Sequence, residues 1–233
     1  GFVINGENRD DQSGISVSSA GDVNGDGLDD LIVGTPGASN ETGKSYVVFG
    51  TIDTTAINLS TIAAGTGGFV INGENEDDQS GFSVSSAGDV NGDGLDDLIV
   101  GAFGANLTGS ANIGKSYVVF GTIDTTAINL STIAAGTGGF VINGENAGDN
   151  SGYSVSSAGD VNGDGLDDVI VGADQADSVS NSKAGKSFVI FGKADETAIN
   201  LSNIVAGTGG FVIYGGDAWN QSGASVSSAG DVN

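Results

Sequence analysis

The chain has 233 residues, of which 30 are acidic and 6 are basic, and its net charge at pH 7 is −24. This balance excludes a nucleic-acid binder, because phosphates require a basic surface, and it disfavours direct binding to anionic lipid. The sequence contains no histidine and no cysteine, which excludes serine–histidine and cysteine–histidine nucleophiles and histidine-ligated zinc. It also lacks a long apolar run, so we expect no direct membrane insertion.

The chain is a tandem repeat, because the sequence GFVI begins at residues 1, 68, 139 and 210. Apolar runs rich in β-branched and aromatic residues and bounded by glycine favour strands over helices. In chain order the first unit offers four of them: SGISVSSAG (13–21), LIVG (31–34), KSYVVFG (44–50) and GFVING (68–73). The connector at 51–67 is long for a structureless loop, and we expect Ile57, Leu59 and Ile62 to hold it against the sheet.

Four-stranded units in tandem predict an all-β fold of β-propeller blades, each an antiparallel sheet that buries its faces against its neighbours. A linear stack of the same units is the alternative. We also expect a longer array, or neighbouring chains, to complete the packing. The predicted segments are a last strand and connection at 1–12, units at 13–74, 80–145 and 151–216, and the start of an incomplete unit at 222–233.

The sequence DVNGDGLDD follows the first strand of each unit, at residues 22–30, 89–97 and 160–168. In the first copy, side-chain oxygens stand at positions 1, 3, 5 and 9, and the backbone carbonyl of Leu28 is available at position 7. Hard oxygen ligands in this number are what Ca²⁺ takes, and the glycines permit the tight path that turns them inward. An EF-hand is excluded because position 12 is Val33 instead of a glutamate, and a strand follows.

The stretch SGISVSSAGDVNGDGLDDLIVGTP resembles the FG-GAP repeat of the integrin α-chain propeller. The resemblance covers three units and departs from the family pattern at the edges. Gln-Ser-Gly stands where Phe-Gly is typical. Of the final Gly-Ala-Pro motif, only the glycine is kept in all units, as Gly34, Gly101 and Gly172. The near-identity of the units is similar to tandem arrays in bacterial secreted or surface proteins.

The resemblance implies that the acidic loops join the first two strands of each blade and bind Ca²⁺ structurally. Asp29, Asp96 and Asp167, at position 8, are expected to point into solvent. The ligands it implies are Asp22, Asn24, Asp26, Leu28 and Asp30; Asp89, Asn91, Asp93, Leu95 and Asp97; Asp160, Asn162, Asp164, Leu166 and Asp168; and Asp231 and Asn233 of a fourth, partial loop.

Differences between the units indicate where a partner could bind. The segments 35–43, 102–114 and 173–185 vary, as recognition loops on a rigid scaffold do, although neutral drift has the same effect. The acidic stretch at 6–14 and its copies are expected to be solvated connections. Trp219 is expected to pack on a neighbouring blade instead of stacking on a sugar.

These observations together favour a calcium-stabilised extracellular repeat module for adhesion, matrix or surface-filament assembly. Its partner would be a protein or a matrix or surface glycan, including copies of itself. The alternative is a carbohydrate-binding propeller, a lectin. We expect no enzymatic activity, because no unit holds a unique acidic pair with a supporting base.

Overall fold

Three antiparallel sheets follow one another along the chain, one for each repeat unit. The computed structural model describes residues 1–106, 112–178 and 181–230. The elements are β1 (Ile4–Asn5), β2 (Val17–Gly21), β3 (Asp30–Thr35), α1 (Ala38–Glu41), β4 (Lys44–Val48), β5 (Ile57–Asn58), α2 (Leu59–Ala63), β6 (Gly68–Asn72), β7 (Ser83–Gly88), β8 (Asp97–Ala102), β9 (Lys115–Val119), β10 (Ile128–Asn129), α3 (Leu130–Ala134), β11 (Gly139–Asn143), β12 (Ser151–Gly159), β13 (Asp168–Ala173), β14 (Lys186–Ile190), β15 (Ile199–Asn200), α4 (Leu201–Val205) and β16 (Gly210–Tyr214).

Each unit contributes four strands, which pair in the order in which they occur in the unit, and in the first two sheets a two-residue strand of the next connector adds a fifth. The sheets are β2-β3-β4-β6, β7-β8-β9-β11 and β12-β13-β14-β16, and all pairs within them are antiparallel. The predicted all-β fold of four-stranded units in tandem, with the acidic loops between the first two strands, is therefore confirmed. The described sheets do not close into a ring, and the linear stack stays open as an alternative.

The long connectors tie each unit to the one before it. Ile128 and Asn129 of β10 pair in parallel with Ile71 and Asn72 of β6 in the preceding sheet, and β5 and β15 make the same pairing with β1 and β11. Asn72 Nδ2 also donates a hydrogen bond to Asn129 Oδ1, at 3.1 Å. These two-residue strands were absent from the sequence prediction.

A single helical turn follows each of these short strands. In α2, Leu59 and Ile62 are buried, and Ile57 packs against the same cluster. The expectation that these residues hold the connector against the sheet is therefore confirmed.

The core lies between the sheets. Ile32, Phe69 and Ile71 of the first sheet belong to one buried cluster with residues of the second sheet and its connector, such as Val100, Tyr117 and Ile133. The second and third sheets meet in the same way. Burial of a large apolar side chain stabilises the fold by about 1.5–3 kcal/mol, so the contacts between sheets contribute to the stability of every unit.

The first strands of successive units lie side by side. Val84 N donates a hydrogen bond to Ser16 Oγ at 3.0 Å, and Val155 N donates one to Ser83 Oγ at the same distance. Gly101 on the second strand also permits the units to approach closely, because a Cβ placed on it would lie 2.1 Å from Gly152 O in the next unit. Among the described residues, no helix has the length and apolar character needed to cross a membrane.

Candidate metal-binding loops

Each acidic loop begins at a β-bulge at the end of the first strand. The pairing of β2 with β3 shifts between Ser19 and Gly21, and Gly21 has a positive φ of 73°. The same shift occurs before the other two loops, at Gly88 and Gly159. Such a bulge bends the strand and re-aims the residues that follow, so the glycine before each loop directs the chain into it.

The first aspartate of each loop is wrapped by backbone amides. Asp22 Oδ1 accepts hydrogen bonds from Gly25 N (2.8 Å) and Asp26 N (3.1 Å), and Asp22 Oδ2 accepts one from Gly27 N (2.9 Å). Asp89 and Asp160 make the same three bonds in their loops. Gly25 and Gly27 have φ values of 75° and 86°, a conformation that a side chain would strain.

The residues at positions 3 and 5 turn toward the same loop interior. Asn24 Oδ1 accepts a hydrogen bond from Asp26 N at 2.9 Å, and Asp26 Oδ1 accepts one from Leu28 N at 2.9 Å. In the second loop Asn91 Nδ2 donates to Asp93 Oδ2, also at 2.9 Å. The alternate oxygens at positions 1, 3 and 5 are therefore held on one short segment of backbone.

The aspartate at position 9 is buried and joins the loop to the third strand of its sheet. Asp30 Oδ2 accepts a hydrogen bond from Val23 N (3.1 Å), and Asp30 Oδ1 accepts one from Gly50 N (2.7 Å). Asp97 and Asp168 make the equivalent pairs of bonds. The glycine after the third strand is required here, since a Cβ on Gly50 would lie 2.6 Å from the Cβ of Leu28. Sequence reasoning did not identify this glycine.

Like charges gather in each loop without a basic partner. Burial raises the pKa of Asp30 to about 6, and the charges of Asp26 and Asp22 add to the rise, against the effect of its two amide hydrogen bonds. The pKa of Asp97 rises to about 7 for the same reasons. None of the ion pairs among the described residues involves a loop carboxylate. The described residues also contain no group of three or more acidic side chains already arranged around a common centre.

Consecutive loops contact one another. Asp22 N donates a hydrogen bond to Asp96 Oδ2 in the next unit at 2.8 Å, and Asp89 N donates one to Asp167 Oδ2 at 2.9 Å. The expectation that position 8 is solvated was therefore wrong for Asp96 and Asp167, because the neighbouring loop supplies a backbone donor at the right distance; it holds for the exposed Asp29. Asp231 and Asn233, the predicted start of a fourth loop, lie outside the described residues.

The acidic connection between units is solvated only in part: Glu76 and Asp77 are exposed, as expected, whereas Glu74 and Asp78 are not. Glu74 Oε2 accepts hydrogen bonds from Lys115 Nζ (2.6 Å) and Tyr117 Oη (2.5 Å) of the following sheet. Asp78 is buried, and its Oδ2 accepts bonds from the backbone and side-chain nitrogens of Asn75. The sequence pattern missed this cluster because the lysine and the glutamate stand about 40 residues apart.

Trp219 lies at the surface of the third unit. Trp219 is 68% exposed, with Lys183 Nζ 5.3 Å from the ring centroid, and its packing on a neighbouring blade stays a prediction, because residues 231–233 of the next repeat lie outside the described part of the chain. The residue occupies a surface turn with a φ of 67°, as Asp77 does two units earlier with a φ of 66°. Of the variable segments, residues 107–111 and 179–180 lie outside the described part of the chain.

Comparison with known proteins agrees with these features. A family model described as the FG-GAP repeat matches residues 13–48, 80–119 and 151–190, each of which spans the first three strands of a sheet and one acidic loop. The chain is 31% identical to integrin alpha pat-2 of Caenorhabditis briggsae over 212 residues, which is 86% of this chain and 16% of that protein.

Two further relatives are integrin α chains. The identity is 33% to integrin alpha pat-2 of Caenorhabditis elegans, over 79% of this chain and 14% of the relative. It is 30% to integrin alpha-5 of Xenopus laevis, over 74% of this chain and 16% of the relative. The chain thus spans about a sixth of the length of these relatives. With three matched repeats on three successive sheets, the chain belongs to the FG-GAP repeat family.

Proposed function

We propose that this chain is a calcium-stabilised extracellular repeat module of adhesion type, without catalytic activity. The observation that carries the proposal is the arrangement of the three acidic loops. Each loop gathers carboxylates that have no cationic partner among the described residues, and Asp96 and Asp167 join the first loop to the second and the second to the third. A divalent cation in each loop would therefore stabilise both the loop and the junction between units.

The donor set fits calcium. Carboxylate, amide and carbonyl oxygens are available at positions 1, 3, 5, 7 and 9, and Ca²⁺ accepts six to eight such oxygens in flexible geometry, whereas Mg²⁺ demands octahedral geometry and keeps more of its water. The raised pKa values of Asp30 and Asp97 reflect buried negative charge that a cation would offset. The ligands we propose are those that the resemblance to the FG-GAP repeat implies. Within that set, Leu28, Leu95 and Leu166 contribute their backbone carbonyls.

Calcium should raise the melting temperature of the protein more than magnesium does. A site adds about 2.7 kcal/mol to the free energy of unfolding when the calcium concentration is about a hundred times its Kd. A change of 1 kcal/mol shifts the melting temperature of a protein of this size by about 2–4 °C. Three sites therefore predict a rise of roughly 15 °C or more, measured by calorimetry in calcium, magnesium or chelator. Equal melting temperatures in the three conditions would refute the proposal.

A single-site variant separates calcium binding from general charge effects. Asp93→Asn removes one ligand charge from the central loop but keeps an oxygen able to accept from Leu95 N, which now lies 2.9 Å from Asp93 Oδ1. We expect it to lose about a third of the calcium-induced rise. The matched control is Asp77→Asn, at an exposed turn outside the loops, which should keep the full rise.

The partner is a protein or a matrix or surface glycan. One candidate protein partner is another repeat unit of the same kind. Phe211 and Ile213 on the third sheet are 44% and 47% exposed, whereas their equivalents Phe140 and Ile142 are fully buried between the second and third sheets. A complementary face of another unit would bury them. Sedimentation in calcium tests self-association, and Phe211→Ser should abolish any that occurs through this face.

A lectin activity is the second candidate. Trp219 favours it, because an indole that is 68% exposed offers a flat surface on which a sugar ring can stack. A glycan array separates the two proposals. Binding to particular glycans that disappears in the Trp219→Ala variant would support the lectin. An array without signal would refute the lectin and leave the adhesion module in place.

A further inference from the structure

The connectors of the first two units form a repeated surface pocket. In the first unit it has a volume of about 440 Å³ and is lined by Phe49, Thr51, Asp53 and Thr55, among others. In the second unit the equivalent pocket has a volume of about 450 Å³ and an identical lining. None of these residues belongs to the acidic loops.

The third unit fills the same pocket with its own lysine. Its equivalent pocket is only about 250 Å³, because Lys193 replaces the threonine found at Thr51 and Thr122. Lys193 Nζ donates hydrogen bonds to Asp195 Oδ1 (2.8 Å), to Thr197 Oγ1 (3.0 Å) and to the carbonyl of Thr197. Its side chain is only 19% exposed.

The groups that hold this ammonium are present in all three units. Asp195 Oδ1 accepts a hydrogen bond from Thr197 N at 2.9 Å. In the first two units the equivalent bonds are 3.0 Å long and run from Thr55 N to Asp53 Oδ1 and from Thr126 N to Asp124 Oδ1. The same turn therefore carries a carboxylate, a carbonyl and a hydroxyl in each unit. Only the third unit brings its own cation to it.

An aromatic ring and an exposed isoleucine complete the site. Lys193 Nζ lies 4.6 Å from the ring centroid of Phe140, on the last strand of the preceding unit, a distance at which a cation is attracted to the ring face. By the repeat, Phe69 occupies the equivalent position for the second unit. Beside the two open pockets, Ile52 and Ile123 are 94% and 78% exposed, and the filled unit has Ala194 instead.

We propose that the pockets beside Asp53 and Asp124 each bind a primary alkylammonium group, namely a lysine side chain presented by a partner protein. The ammonium would occupy the position that Lys193 Nζ occupies in the third unit, and the aliphatic stem would pack on Phe49 or Phe120 and on the exposed isoleucine. Two such pockets one repeat apart bind a partner with two lysines more tightly than either pocket alone, and the net charge of −24 favours its approach.

The test is a titration with Nα-acetyl-lysine N-methylamide, followed by the backbone amide signals in ¹H–¹⁵N NMR spectra at saturating calcium. We expect saturable shifts at Thr55 and Thr126, with a Kd of about 1–10 mM, and none at Thr197. The uncharged norleucine derivative should produce no such shifts. Non-saturating changes, or equal changes with norleucine, would overturn the proposal.

Two variants use the third unit as a template. Lys193→Thr should open a third site, so that Thr197 joins the signals that shift on titration. Thr51→Lys combined with Thr122→Lys should close both natural sites and weaken binding at least tenfold. If the double variant binds as the unchanged protein does, the assignment to these pockets is wrong.

A third arm identifies the source of the amine. n-Butylamine presents the same single ammonium without a peptide backbone. Tighter binding of the lysine derivative supports a protein lysine, whereas tighter binding of butylamine overturns that source. The same titration is repeated in chelator. Saturable binding in calcium supports the pockets whatever the result in chelator, and no binding in either condition overturns them.

Discussion

Replacement of Glu74 by glutamine tests how strongly the charged cluster between the first two units holds them together. Lys115 and Glu74 have side chains that are only 9% and 20% exposed. The change would leave the nearly buried Lys115 ammonium without its ion-pair partner, with only the more distant charge of Asp78 to offset it, while Tyr117 could still donate to the amide oxygen. Removal of one partner of a buried ion pair costs about 3–5 kcal/mol, and the partial exposure of Glu74 places the expected cost near the lower value, about 2–3 kcal/mol.

Calorimetry at pH 7 measures the effect. A loss of about 2–3 kcal/mol predicts a fall of roughly 5–10 °C in melting temperature. Glu76→Gln is the matched control, because it makes the same charge change two residues away at an exposed side chain, and it should shift the melting temperature by no more than about 1–2 °C.

The cost of Glu74→Gln should also depend on pH. Burial raises the pKa of Glu74, but the hydrogen bonds from Lys115 and Tyr117 outweigh it and hold the pKa below the ordinary value of 4.5. A carboxylate with a lowered pKa stabilises the folded state above its unfolded pKa and loses that contribution as the pH falls through the folded value. The difference between the two proteins should therefore be constant from pH 7 to 5 and shrink below about pH 4.5. A difference within that of the control at pH 7, or one that grows on acidification, would refute the reasoning.

Two further changes probe the same junctions. Tyr117→Phe copies the third unit, where Phe188 stands at this position, and should cost about 1.5 kcal/mol because one hydrogen bond to a charged group is lost; urea denaturation measures it, and no change in the midpoint would contradict it. Gly101→Ala places a Cβ 2.1 Å from the Gly152 carbonyl and should cost about 3 kcal/mol or more. Gly216→Ala, where a Cβ would meet no neighbour, is the control, and similar melting temperatures for the two alanine variants would show that the units are not packed as described.

The strands and loops could be predicted because their causes are local. Runs such as LIV and YVVF are β-branched or aromatic and end at glycines, so each reads as a short strand without knowledge of its neighbours. Asp22, Asn24 and Asp26 place an oxygen at every second residue, and Gly25 and Gly27 allow the tight path that turns these oxygens inward. Repetition then gave the register of the units, since the same segment recurs three times.

The contacts between units could not be predicted in this way. The carboxyl of Asp96 finds the backbone of Asp22 only because two loops from different sheets meet, and the connector pairs with the preceding sheet through a strand of only two residues. Glu74, Lys115 and Tyr117 carry no local signal of partnership. Their meeting depends on the packing of one sheet against the next.

The sequence by itself determined the repeat, the all-β character and the acidic loops, because hydrophobic alternation, glycine placement and oxygen spacing act within a few residues. Only the tertiary structure decided which carboxylates are solvated and which are buried, and which connector pockets are open. The pocket beside Asp195 is filled by Lys193 and the one beside Asp53 is not. The reason is physical: burial and ion pairing depend on atoms that the fold brings together from distant parts of the chain, whereas strand and turn preferences depend on adjacent residues.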